Sequence, residues 1–230
     1  MSVGEGMSPP GAHPLRVEFD VLLQAMRDEV AEMGHFVERG IARSMWGLAQ
    51  RSVDLCTAVI EDDLRVNELQ RLVRENSFSI ILREAPVATD LREVMSLLDI
   101  SAELERMGDH CVSIAKLARV LVDIPAPAAE PDLQPMADLC AGQARDMLSA
   151  VAAHDVDRAR QVAGRNDRID RIHHRVFDEL LERMIAERDY VYRGTNMVFI
   201  AHHLERIADR VTNIAEDLVF LETGVIEELG

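Results

Sequence analysis

The sequence predicts an all-α protein made of two tandem antiparallel three-helix bundles related by pseudo-twofold symmetry. Three observations carry that expectation. First, Glu103–Lys116, ELERMGDHCVSIAK, is echoed by His203–Glu216, HLERIADRVTNIAE, without a gap. Leu104, Glu105, Arg106, Asp109, Ile114 and Ala115 align with Leu204, Glu205, Arg206, Asp209, Ile214 and Ala215. Internal repetition of this kind sets an architecture before any single motif does. Second, apolar residues recur every three or four positions over long stretches, and no alternating strand pattern interrupts them. Third, Asp123–Pro135 holds Pro125, Pro127, Pro131 and Pro135, a linker composition near the middle of the chain.

Met1–Pro14, rich in Gly and Pro, is expected to be a disordered arm. The first helix should cover about 16–48. There Phe19, Leu22, Leu23, Met26, Val30, Met33, Val37, Ile41, Met45 and Leu48 keep helical spacing. A second helix covers about 53–83 and stops before Pro86. A third starts after Asp90, where Glu93 completes a capping-box-like start, and runs to about Val122. These form the first bundle, 15–122. After the 123–135 linker comes the second bundle, 136–224. Its first helix ends near Ala152, its second runs unbroken from a cap at Asp155 to about Arg188, and its third reaches about Glu222. Asp189–Thr195 is expected as a turn around Gly194.

The last helix of each bundle carries a clean apolar stripe. In the first it is Leu97, Ile100, Leu104, Met107, Cys111, Ile114, Ala118 and Leu121. In the second it is Met197, Ile200, Leu204, Ile207, Val211, Ile214, Leu218 and Leu221. At about 100° per residue, Glu105 and Asp109 fall on the far side from that stripe, as do Glu205, Asp209, Asn213 and Glu216. They should face outward or into a surface groove. Each motif is E-R-x-x-D, which stacks two carboxylates one turn apart on one helix face. The preceding helix of each half matches it with a second oxygen-bearing pair: Asp63 with Asn67, and Asn166 with Asp170. Acidic residues on an outer helix face are ordinarily a solvated face. The doubling weighs against that here, because like charges four apart are mildly destabilising unless something offsets them. Clustered carboxylates and amide oxygens are what hard cations take as ligands.

Composition narrows the function. Of 230 residues 48% are hydrophobic and only 4% aromatic, and the formal charge is −16. That balance excludes a basic nucleic-acid footprint and simple electrostatic docking on anionic lipid. It suits cations or basic protein partners. Cys56, Cys111 and Cys140 are odd in number and far apart, so no disulfide framework or zinc ribbon is expected and a reduced, intracellular setting fits. No apolar run reaches the length of a membrane span, and the N-terminus does not read as a secretory signal. Glu32 and His35 form one E-x-x-H, but a di-iron bundle needs two facing inward. His202 and His203 adjoin the second motif, and His202, on the side of Asp209, is a candidate extra ligand or a surface residue; His173 and His174 are surface or flanking residues. No phosphate loop, nucleophile elbow or dinucleotide glycine pattern occurs.

Taken together, the doubled L-E-R-[MI]-[GA]-D, N-I-A-E at Asn213–Glu216, D-L-R at Asp90–Arg92 and D-x-x-V-N at Asp63–Asn67 resemble the PhoU family, accessory regulators of bacterial phosphate-specific transport. The resemblance covers nearly all of the chain after the arm. It implies a cytoplasmic, non-enzymatic negative regulator of phosphate uptake and phosphate-responsive signalling. Such a protein sits at the membrane only through its partners, the ATPase component of a phosphate ABC transporter and a phosphate sensor histidine kinase, with no nucleic acid involved and a homodimer allowed. It also implies surface metal clusters of iron or zinc, with magnesium and manganese as further candidates. One site would use Asp63, Asn67, Glu105 and Asp109. The other would use Asn166, Asp170, Glu205, Asp209, Asn213 and Glu216. Where the second copy has Asn213 and Glu216 the first has Ser113 and Lys116, so the first site is the poorer in ligands. The alternatives are a helical-bundle metal-binding protein, a carboxylate-bridged metalloenzyme, or a plain helical interaction protein.

Overall fold

A computed structural model describes residues 14–127 and 130–230. The expected arm lies outside the described residues apart from Pro14, which opens the first helix. The described chain is helical and without strands: α1 (Pro14–Gln50), α2 (Val53–Glu84), α3 (Thr89–Leu121), α4 (Gln134–Ala153), α5 (Val156–Ala163), α6 (Asn166–Ala186) and α7 (Val191–Thr223), with a 3-10 turn at Arg188–Tyr190 before α7. Helices α1–α3 form one antiparallel bundle and α4–α7 its counterpart. Every member of both apolar stripes is buried. The buried side chains of the two halves run together into one continuous core. The three cysteines are free and buried within it.

The halves are joined along α3 and α7, which run antiparallel. Arg92 Nε donates to the Leu221 carbonyl at 3.3 Å, Arg210 reaches Glu103 Oε2 at 3.3 Å, and the Nδ1 atoms of His110 and His203 lie 3.1 Å apart. The residue numbers in each of these pairs add to the same value, which is the signature of one antiparallel register. The offset of 100 between the repeats maps the Glu103–Arg210 pair onto the His203–His110 pair. The pseudo-twofold axis therefore passes through this seam. On the other side α1 crosses α4, where a Cβ on Gly34 would come within 2.5 Å of Leu148. Arg145 is paired with Glu38 across that crossing at 2.6 Å.

Three expectations need correcting. The helix expected from Asp155 to Arg188 is broken into α5 and α6 at Gly164–Arg165. Buried Ala159, Val162, Ile169, Val176 and Leu180 keep helical spacing across the break. Periodicity alone could not reveal it, whereas the poor helix propensity of glycine marks it. Asp155 does cap α5, accepting from the Arg158 N–H at 2.9 Å. Gly194 lies in the first turn of α7 rather than in a turn between helices. An added Cβ there would stand 2.7 Å from Met184 Cγ and 3.0 Å from Tyr190, so the glycine serves close approach. The start of α3 has no capping box: Ala88 precedes it at φ +50°, and Glu93 is taken by Arg27 of α1 at 2.8 Å. The lone E-x-x-H is helix surface as expected: Glu32 accepts from Arg65 at 3.1 Å while His35 is exposed.

The segment between the bundles is fastened by a buried pair. Arg193 of α7, 5% exposed, holds both oxygens of Glu130 at 2.7 and 2.6 Å and donates to the Ile124 carbonyl at 2.9 Å. The Tyr190 hydroxyl adds a third bond to Glu130 at 2.8 Å. Removing one partner strands the other charge in the protein, which costs about 3–5 kcal/mol. Arg193→Ala should therefore lower the denaturation free energy by about that amount. Arg71→Ala, which breaks the exposed pair with Glu75, should cost under about 1 kcal/mol. Equal losses in urea titrations of the two variants would contradict this account of the linker.

Candidate metal centre

Each half brings one helix of small residues against one bearing oxygen ligands. On α3, Ser101, Gly108 and Ala115 are seven apart and buried, and α7 matches them with Ala201, Ala208 and Ala215. Positions seven apart share a helix face. At Gly108 that face meets α2, since a Cβ there would lie 3.0 Å from Asp63 Oδ1. The missing side chain lets the Asp63 carboxylate rest almost on the backbone of α3.

The second site is the tighter. Asp170 of α6 and Glu205 and Asp209 of α7 each aim a carboxylate oxygen into one space, all within 4.8 Å of one another. Among the described residues no other trio of carboxylate, imidazole or thiolate groups is drawn this close. Asn166 Nδ2 donates to Asp209 Oδ1 at 3.2 Å, and Arg206 holds Asp209 Oδ2 at 2.7 Å. That leaves Glu205 Oε2 and Asn166 Oδ1 shut away from solvent and making no hydrogen bond. Burial raises the Glu205 carboxyl above the ordinary range and the Asp209 charge adds to it; His202 and Arg206 pull it part of the way back. Asp170 is raised in the same way, by burial and then by Asp209. His202 Nδ1 stands 3.4 Å from Glu205 Oε2, within ion-pair reach.

The first site has the same plan with looser closure. Asn67 Nδ2 donates to Asp63 Oδ2 at 3.1 Å, and the other oxygen, Oδ1, is buried without a donor. Burial raises Asp63, with Asp109 adding to the shift, while Asn67 and Lys116 oppose it. Burial also raises Glu105, followed by the charges of Asp109 and Asp63. The carboxylates thus lie in the grooves between α2 and α3 and between α6 and α7, partly buried and away from the apolar stripes. Lys116 places a cation near the first site and has no counterpart at the second.

Two residues expected at the second site are turned elsewhere. Asn213 donates to Glu103 of α3 at 3.0 Å, and Glu216 Oε1 accepts from the Leu229 N–H at 2.9 Å. One and two turns beyond Asp209, they face the seam and the C-terminal tail respectively rather than α6. Sequence reasoning passed over Glu103 and His110. Glu103 is 7% exposed and takes Arg106, Arg210 and Asn213 together. Burial and the neighbouring His203 push His110 down to about 4, so the histidine pair is neutral at physiological pH. The signal was a paired exchange: Glu103 and Arg210 in one orientation of the repeat become His203 and His110 in the other.

The PhoU domain family matches residues 30–118 and 133–218, one match in each half. A relative from Caulobacter vibrioides, described as a phosphate-specific transport system accessory protein PhoU homolog, is 36% identical over 202 residues, 87% of each chain. One of the same description from Streptococcus pneumoniae is 29% identical, covering 94% of this chain and all of that one. Among solved structures, PhoU from Pseudomonas aeruginosa superposes with a TM-score of 0.85 at 27% identity, over 90% of this chain and 100% of its own. The phosphate transport system regulatory protein PhoU from Streptococcus pneumoniae gives 0.81 at 29%, over 92% and 100%. With both halves matched and the fold shared over 90% of the chain, the chain belongs to the PhoU family.

Proposed function

We propose that this chain is a cytoplasmic, non-catalytic accessory regulator that restrains phosphate uptake and phosphate-responsive signalling. It acts by protein contact with the ATPase component of a phosphate ABC transporter and with a sensor histidine kinase. The family match across both halves carries this reading. No described helix is long and apolar enough to cross a membrane. The net charge of −16 favours basic partner surfaces, chiefly through steering and selectivity. The test is isolation of the tagged chain from cells grown in high and low phosphate. Co-isolation of the transporter ATPase and the kinase is the expected result, and their absence under both conditions contradicts the reading.

The same reading includes metal at the two carboxylate sites. The donor set fits a hard or borderline cation. Buried oxygens making no hydrogen bond stand at both sites, Glu205 Oε2 and Asn166 Oδ1 at one and Asp63 Oδ1 at the other. Asp170, Glu205 and Asp209, with the Asn166 amide oxygen, would hold metal at the tighter site. Asp63, Glu105 and Asp109, with Asn67, would do so at the looser one. A bound cation supplies the positive charge that these desolvated carboxylates lack and ties α6 to α7, or α2 to α3. Binding to the folded state alone stabilises it by mass action. Metal analysis of purified protein should find most metal lost in the Glu205→Ala/Asp209→Ala variant and less lost in Glu105→Ala/Asp109→Ala. Equal metal in the wild type and the first variant would return these residues to a solvated face.

The raised carboxyl of Glu205 has a pH consequence in metal-free protein. The fold binds its proton more tightly than the unfolded chain does. Its contribution to stability is therefore greatest at low pH and falls as pH rises through the raised value. At pH 8, with chelator present, Glu205→Gln should stabilise the protein by about half a kcal/mol, the scale of a close like-charge repulsion. By pH 5 the advantage should fade, and with saturating metal at pH 8 the sign should reverse. Denaturant titration of both proteins measures all three.

A further inference from the structure

The two halves expose matching apolar tips. Where α2 turns into α3, Phe78, Leu82 and Leu91 are 61%, 81% and 38% exposed. The offset of 103 that aligns the oxygen pairs of α2 and α6, and the offset of 100 between α3 and α7, carry these three onto Leu181, Ile185 and Val191. Those are 41%, 77% and 44% exposed, where α6 turns into α7. Elsewhere the repeats have diverged in chemistry, as at Glu103 against His203, His110 against Arg210 and Lys116 against Glu216. A large apolar side chain held in water at three matching positions, twice, is not explained by the core, which these six residues do not enter. Exposed apolar clusters of this kind mark contact surfaces.

The seam fixes where the tips lie. In the antiparallel register of α3 and α7, Val191 is level with the C-terminal end of α3, about 31 residues from Leu91. At 1.5 Å per residue the tips are ~46 Å apart along the molecule, at opposite ends. We propose that they are two equivalent docking sites for one twofold-symmetric protein dimer, each subunit of which receives one tip in an apolar socket with a basic rim. A homodimer is the occupant that offers the same socket twice, about a twofold axis like the one inside this chain. A second copy of this chain fits poorly, because like patches at opposite ends would propagate into open chains instead of closing. An anionic bilayer is opposed by the charge of −16. The socket's basic rim follows from the same charge.

The proposal rests on the functional reading above only for its probe, the assembled phosphate transporter with its paired ATPase subunits. Leu82→Glu, Ile185→Glu and the double variant alter exposed side chains, and unchanged helicity and melting temperature establish that they fold. Titrated onto the purified transporter in nanodiscs, wild type should bind one chain per transporter. Each single variant should bind about ten- to a hundredfold more weakly, since two linked contacts become one. Two single-variant chains should then fit per transporter, and the double variant should not bind. Single variants that bind like wild type overturn the docking surface and leave the functional reading standing. Loss through only one tip overturns the twofold arrangement. Wild type that fails to bind overturns both. Self-association or binding to lipid vesicles that either substitution abolishes overturns the dimer as occupant.

Discussion

The antiparallel packing of α3 on α7 is the constraint from which the rest of the structure follows. Both helices are buried on more than one face, and the pseudo-twofold axis runs between them. One register places Arg92 at the end of α7, Glu103 against Arg210, and His110 against His203. Because the seam is symmetric, whatever α3 presents to α2 is presented by α7 to α6. The carboxylate sites are therefore a consequence of the seam and the repeat together. Each of the two helices turns its acidic face away from the seam, toward the helix that brings amide and carboxylate oxygens.

The two copies show how a duplicated frame diverges. At the seam one pair of positions holds a salt bridge and its symmetry mate holds two neutral imidazoles. Both solutions satisfy polar groups in a half-buried place, one with opposite charges and one with a single shared hydrogen bond. At the carboxylate sites the divergence is one of degree. The second site draws three carboxylates within 4.8 Å, whereas the first has the Lys116 ammonium close to Asp63. A carboxylate cluster partly removed from water is unfavourable by itself. Its occurrence in both halves, with buried oxygens left without a hydrogen bond, is the observation on which the proposed cation sites rest.

Much of this was legible in the sequence because it rests on periodicity. The stripes from Leu97 to Leu121 and from Met197 to Leu221 are buried throughout, since a 3.6-residue period reports a buried face directly. The oxygen pairs Asp63 with Asn67 and Asn166 with Asp170 stood out because the repeat aligned them. What the sequence hid were features set by a neighbour in space. Glu93 lost its capping role to Arg27, and Asn213 was drawn to Glu103. Gly194 looked like a turn because glycine breaks helices more often than it admits Met184 and Tyr190. The bend at Gly164 left the apolar spacing intact, so no periodic signal recorded it.

The central claim is that the groove between α6 and α7 is a cation site built by the repeat. Crystals grown without chelator and soaked in manganese or ferrous iron, measured at wavelengths on either side of the metal's absorption edge, test it most directly. The account predicts an anomalous peak among Asp170, Glu205 and Asp209, and a weaker one among Asp63, Glu105 and Asp109. Peaks confined to other surfaces, or none at saturating metal, would contradict it.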